Sequence, residues 1–249
     1  MSDQTRDIVQ AVGRRLDDAR DLLDAAVEQA TALERSLRGH ENTVNDVHWD
    51  AAKLLLEPQP GRPTLHLVHT KAADLADQLR HSTTTADQIH DKLIAAGQQL
   101  QHTDRLIGAL AADSTDSTES TDPERATAVA ALSSRAERLS TLVAAATPLA
   151  DRAHQQLGSA REALEQGVRA SSGPGLDEFQ QFWTLDRGVY DSSRDLASAH
   201  TRTRDGAELT EHAARTGTLT AAHARDLLRH HQPGHPPAPT VHGPSGPAI

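Results

Sequence analysis

A chain of 249 residues with 2% aromatic and 37% hydrophobic content cannot build a thick globular core, but it has enough Leu, Val and Ala for thin seams between helices. A net charge of −10 argues against nucleic acid as a partner, because a basic face supplies most of that affinity. The absence of cysteine removes disulfide frameworks and thiolate chemistry.

The first fifteen residues, MSDQTRDIVQAVGRR, lack the apolar stretch of a secretory signal, and no apolar run approaches the length of a membrane span. These features point to a cytoplasmic protein without a membrane span. Positive charge is carried almost entirely by Arg, with Lys only at Lys53, Lys71 and Lys92, a composition typical of GC-rich bacterial genomes.

In chain order, residues 3–57 read as one helix. Apolar residues recur in alternating steps of three and four, through Val9, Val12, Leu16, Ala19, Leu23, Ala26, Ala30, Leu33 and Leu37, then Val44, Val47, Ala51 and Leu54. His40 is the single polar member of this heptad seam, the pattern of a coiled-coil helix. The proline-rich stretch 58–63 ends it, since three prolines cannot continue a helix. A second helix restarts near Thr64 with an unbroken seam from Leu65 to Leu110, in which Ser82 and Thr103 are polar. Two long helices joined by a short turn form an antiparallel hairpin. Pairing positions whose numbers sum to 119 centres the turn between Gln59 and Pro60 and sets large against small: Leu37/Ser82, Leu33/Ala86, Ala30/Ile89, Ala26/Leu93. Such layers let helices approach without voids.

Residues 113–122 (DSTDSTESTD) read as a flexible acidic linker, which closes a first unit at residues 1–112. A third helix begins at Pro123 and carries a seam from Val129 to Leu164 that stays in phase across Pro148, so a kink rather than a break is expected there. The stretch 171–175 (SSGPG) forms the second turn. The fourth helix starts near Leu176, and its seam runs from Phe182 to Leu227. A register summing to 349 pairs Val143 with Gly206, Leu139 with Thr210 and Leu132 with Gly217. Residues 123–231 thus make a second hairpin. Residues 232–249 carry six prolines and no periodic apolar residues, the composition of a disordered or polyproline II tail.

The predicted fold is all-α: two long antiparallel coiled-coil helical hairpins, which either swing free on the linker or fold back into an elongated up-down-up-down four-helix bundle, followed by the Pro-rich tail.

Functional constellations are sparse. Asp87-x-x-His90 and Asp151-x-x-His154 have helical ligand spacing and His66-x-x-His69 has chelating spacing, but His90 and His154 fall beside the seam and the seam contains no Glu, unlike a di-metal carboxylate bundle. No metal site, cofactor site or catalytic residue is assigned. No nucleophile elbow appears, and thin helical pairs offer few enclosed pockets for a small-molecule substrate. His40 invites a register, pH-switch or partner-contact role. The aromatic residues sit near the two turns: Trp49 before the first, Phe179, Phe182, Trp183 and Tyr190 after the second. Phe182 belongs to the seam, whereas Trp49, Trp183 and Tyr190 are candidate anchors for a protein partner or for self-association. PxxP strings at residues 236–239 and 244–247 suit either a spacer or a ligand for a proline-binding surface.

These features favour a non-enzymatic interaction or scaffold protein. The alternative is a leaderless exported protein, or the trafficking part of a bacterial specialised secretion or toxin system. A helical hairpin with Trp near its turn is similar in outline to the WXG100 group, although Trp49-Asp50-Ala51 lacks the glycine and Trp49 precedes the turn. That resemblance implies export without a cleaved signal.

Overall fold

The computed structural model describes residues 3–54, 64–116 and 123–230. These form four helices: α1 (Asp3–Leu54), α2 (Leu65–Asp116), α3 (Pro123–Ser171) and α4 (Glu178–His230). Each is about 75–80 Å long at 1.5 Å per residue. The turn at 58–63, residues 117–122 and the tail from residue 232 lie outside the described residues.

The hairpins fold back on one another. α1 packs on α2 and α4, α3 packs on α2 and α4, and α2 and α4 also approach across the diagonal, so the four helices make an up-down-up-down bundle. Every residue of the α1 seam is buried, His40 included. The seams of α2 and α3 are buried likewise, apart from a partly exposed Leu65 at the start of α2. Burying these stripes drives assembly, at roughly 25 cal/mol per Å² of apolar surface removed from water. The polar seam members Thr103 and Thr210 donate their hydroxyls to carbonyls one turn back, on Gln99 and Gly206, so burying them leaves no donor unpaired. No described helix is long and apolar enough to cross a membrane.

Local sequence sets the helix ends. Thr64 caps α2, its Oγ1 accepting from Leu67 N–H at 3.2 Å. At α4, Asp177 Oδ1 accepts from Gln180 N–H while Gln180 Oε1 accepts from Asp177 N–H, a reciprocal capping box that starts the helix two residues after the expected Leu176. Gly175 takes φ +85°, a left-handed conformation that favours glycine. α3 passes Pro148 without a break. α2 continues as helix to Asp116, four residues into the stretch expected to be linker, because extending an existing helix costs little even without an apolar seam.

Bonds across the first hairpin (Arg15–Gln99, Gln29–Gln88, Lys92–Gln29, Lys71–Asp50) all lie within one heptad of the 119 register. Contacts across the second hairpin also lie within one heptad of the 349 register, but all are offset toward higher sums. Gly217 abuts Leu139 rather than Leu132, Gly206 abuts Leu149, and Val143 is instead close to Gly97 of α2. The reason is an asymmetric turn. Gly173 N–H folds back onto Ala170 O, which spends loop residues at the end of α3. Beyond it Gly167 and Gly188 bring the two backbones together: a Cβ on Gly188 would stand 2.7 Å from Ala163 O and 2.8 Å from Gly167 Cα. Only glycine fits that crossing, and it fixes the level of α4 against α3.

Candidate functional site

The up-down-up-down topology places both hairpin turns at one end of the bundle. The aromatic groups that the sequence distributes over two tips therefore share that end. Among the described residues seven large hydrophobic side chains are exposed, and five of them (Trp49, Leu67, Phe179, Trp183, Tyr190) belong to it.

The helix surfaces explain the arrangement. On α1, Val47 enters the core, His48 turns toward α4, Asp50 turns toward α2, and Trp49 is left outermost, 66% exposed. On α4, Phe182 is buried and Asp186 faces α1, while Trp183 and Tyr190, seven residues apart, stand one above the other on the outer face. Trp183 is held edge-on by Phe179 (5.9 Å) and Phe182 (5.6 Å), so its ring is fixed although half of it is exposed. Trp183, Thr184, Asp186, Arg187 and Tyr190 line one shallow groove.

Polar latches tie this end together. His48 Nδ1 lies 2.9 Å from Asp186 Oδ1, joining α1 to α4. Asp50 receives Lys53 at 3.1 Å and Lys71 of α2 at 2.5 Å. The Lys71 hydrogen bond is the main effect holding its carboxyl below the ordinary value; burial opposes it, and the hydrogen bond of Lys53 and the charges of both lysines add to the lowering. Ser171 Oγ at the end of α3 lies 2.9 Å from His69 Nε2 of α2. Burial, with a smaller contribution from the neighbouring His66, lowers the His69 pKa. These latches were invisible in the sequence: His48 and Asp186 are 138 residues apart, and neither stands in a recognisable motif. Phe179 and Leu67 were also missed as surface residues, since an apolar residue near a helix start gives no periodic sign of its exposure.

His40 does not join the site. It sits inside the α1–α2 seam with Nε2 3.0 Å from Ser36 Oγ and 3.1 Å from Ser82 Oγ, and burial lowers its pKa, partly offset by a hydrogen bond with Gln78. A partner cannot reach it without opening the hairpin, because the two-helix seam that the sequence suggested is covered by the other two helices.

Among the described residues one group of three metal-capable side chains converges, Asp87, His90 and Asp91 on α2, with ligand atoms within 4.8 Å of one another. All three come from one helix surface. His154 is engaged with Thr83 O of α2, and His69 with Ser171. A groove of about 710 Å³ between α2 and α3 includes His90, Ile94, Gly97, Asp104 and Pro148, and is open along its length. Burial pushes the Asp104 carboxyl up. Inside the bundle, Ala30, Ala86, Ala150 and Gly206 leave a cavity of about 20 Å³, bordered by Thr203, whose hydroxyl has no partner. That is room for about one water.

The chain matches no family model, no curated protein and no solved structure.

Proposed function

We propose that this chain is a non-enzymatic scaffold that presents one end of a rigid helical bundle to a protein partner. The supporting observation is the concentration of exposed aromatic side chains at the turn end, with Trp183 pre-set by its edge contacts. Aromatic residues held in one orientation lose little entropy on docking and are the preferred anchors of protein interfaces. The test is site-specific photo-crosslinking in the native host, with the reactive residue placed at Tyr190 or, as a control about 44 Å along α4, at the equally exposed Leu219. Protein adducts at 190 and none at 219 are the expected result. No adduct at 190 would sink the reading.

The outermost placement of Trp49 beside the first turn favours one second reading, a leaderless exported protein whose exposed Trp is read by a secretion apparatus. A tagged chain found in the culture medium of intact cells, and retained when Trp49 is replaced by Ala, is what that reading requires.

A further inference from the structure

The groove on α4 has an unusual set of unused donors. Trp183, Arg187 and Tyr190 follow one another at four and three residues on the exposed face, and among the described residues none of the three side chains makes a hydrogen bond or ion pair, whereas the neighbouring Asp186 and Thr184 are taken by His48 and Gln180 O. Two aromatic rings with a guanidinium between them face solvent. The rings are about 10 Å apart along the helix axis, at seven residues of 1.5 Å. A polyproline II segment repeats every three residues, or about 9 Å, so the two prolines of a PxxP string present their rings to the same side at nearly the same interval. Its backbone carbonyls have no internal partners and require donors of the kind Trp Nε1, Tyr Oη and Arg supply.

The chain itself carries two such strings, Pro236-Pro237-Ala238-Pro239 and Pro244-Ser245-Gly246-Pro247. They cannot reach their own groove. From Tyr190 to His230, α4 runs about 60 Å. Seating both prolines of a string needs the farther one to reach Trp183, about 70 Å from His230, yet Pro239 is nine residues beyond His230 and Pro247 seventeen, which at full extension span only about 32 Å and about 61 Å. The groove must therefore take the tail of another molecule. When two copies lie side by side with their α4 helices antiparallel, each tail leaves beside the partner's groove, and the contact closes as a twofold pair.

From these spacings we propose that the Trp183–Arg187–Tyr190 groove binds the Pro-rich segment 232–249 of a second copy of this chain, giving a tail-exchanged dimer. The inference rests on reading the aromatic end as a docking surface and names its occupant.

Sedimentation of the full chain over a range of concentrations tests it. Wild type is expected to form a dimer. Trp183→Ala with Tyr190→Ala, and separately Pro236→Ala, Pro239→Ala, Pro244→Ala and Pro247→Ala together, should each weaken dimerisation at least tenfold with helicity unchanged. The proline set lies outside the four helices, so it reports even where the aromatic variant folds poorly. Mixing the groove-defective and tail-defective chains should restore pairing through the one intact contact. A monomeric wild type, or a dimer indifferent to the proline set, overturns the proposal. The photo-crosslink at 190 separates the two levels. Adducts to residues 232–249 of a second copy support tail exchange. Adducts to other proteins alone overturn it while the docking reading stands. No adduct refutes both.

Discussion

His40 offers the most direct energetic test of the buried seam. Its ring is buried and burial lowers its pKa from the ordinary imidazole value of 6.5, so the folded chain takes up this proton less readily than the unfolded chain. Stability rises with pH wherever the unfolded state binds more protons, so it should begin to fall as pH drops through 6.5 and level off only below the lowered folded value. The unfolded value alone caps the loss between pH 7.5 and 5.5 at about 1.4 kcal/mol, which corresponds to at most roughly 3–5 °C in Tm for a chain of this size. A difference measurement separates the contribution of His40 from that of every other ionisable group. His40→Leu is combined with Ser82→Ala, so that no buried hydroxyl is orphaned, and urea melts of wild type and variant are compared at both pH values. The variant should lose less stability than wild type on acidification, by no more than about 1.4 kcal/mol. Equal losses in the two proteins would refute the assignment of a proton-excluding seam at His40.

Packing predictions follow from the glycines and leucines. Gly188→Ala drives a Cβ into Ala163 O and Gly167 Cα and should destabilise by about 1–3 kcal/mol, whereas Gly39→Ala meets nothing within 4 Å and should stabilise by up to about 1 kcal/mol through helix propensity. Thermal melts that rank the two the other way would show the α3–α4 crossing to be misplaced. Leu23→Asp or Leu93→Asp buries an unpaired charge where wild type is apolar and at most 1% exposed. A loss of at least about 3 kcal/mol is expected in either, and unchanged melting in both would refute the α1–α2 seam.

What could be read in advance was whatever repeats. The α1 seam was legible because fourteen positions obey one period, and the approximate level of α2 against it because both seams keep their phase on either side of a short proline-rich stretch. The offset within the second hairpin was not legible, because the glycine crossing acts through backbone contact and a glycine in the sequence does not say which partner it meets. Contacts between the hairpins use outer positions filled by His, Asp, Glu and Arg, as in His200–Glu41, Arg80–Glu165 and Arg225–Asp17. Polar residues there read equally well as a solvated face, so the choice between free hairpins and a closed bundle could not be made from periodicity. Trp49, Trp183 and Tyr190 were legible as candidates because large aromatics are rare in this chain. Their gathering at one end follows from topology alone. His40 was legible as an anomaly, but its isolation depends on α3 and α4 covering the first hairpin.

The Gly167–Gly188 crossing has a mechanical consequence. It lies near one end of α4, and about 63 Å of helix extends beyond it to His230. Contact there is backbone against backbone, so no side-chain rotamer can absorb a change in crossing angle. A rotation of one degree at this fulcrum moves the far tip of α4 by about 1 Å, which makes α4 a long lever on a hard pivot. A single added methyl at residue 188 would therefore be felt most at the opposite end of the bundle, where Arg225 pairs with Asp17.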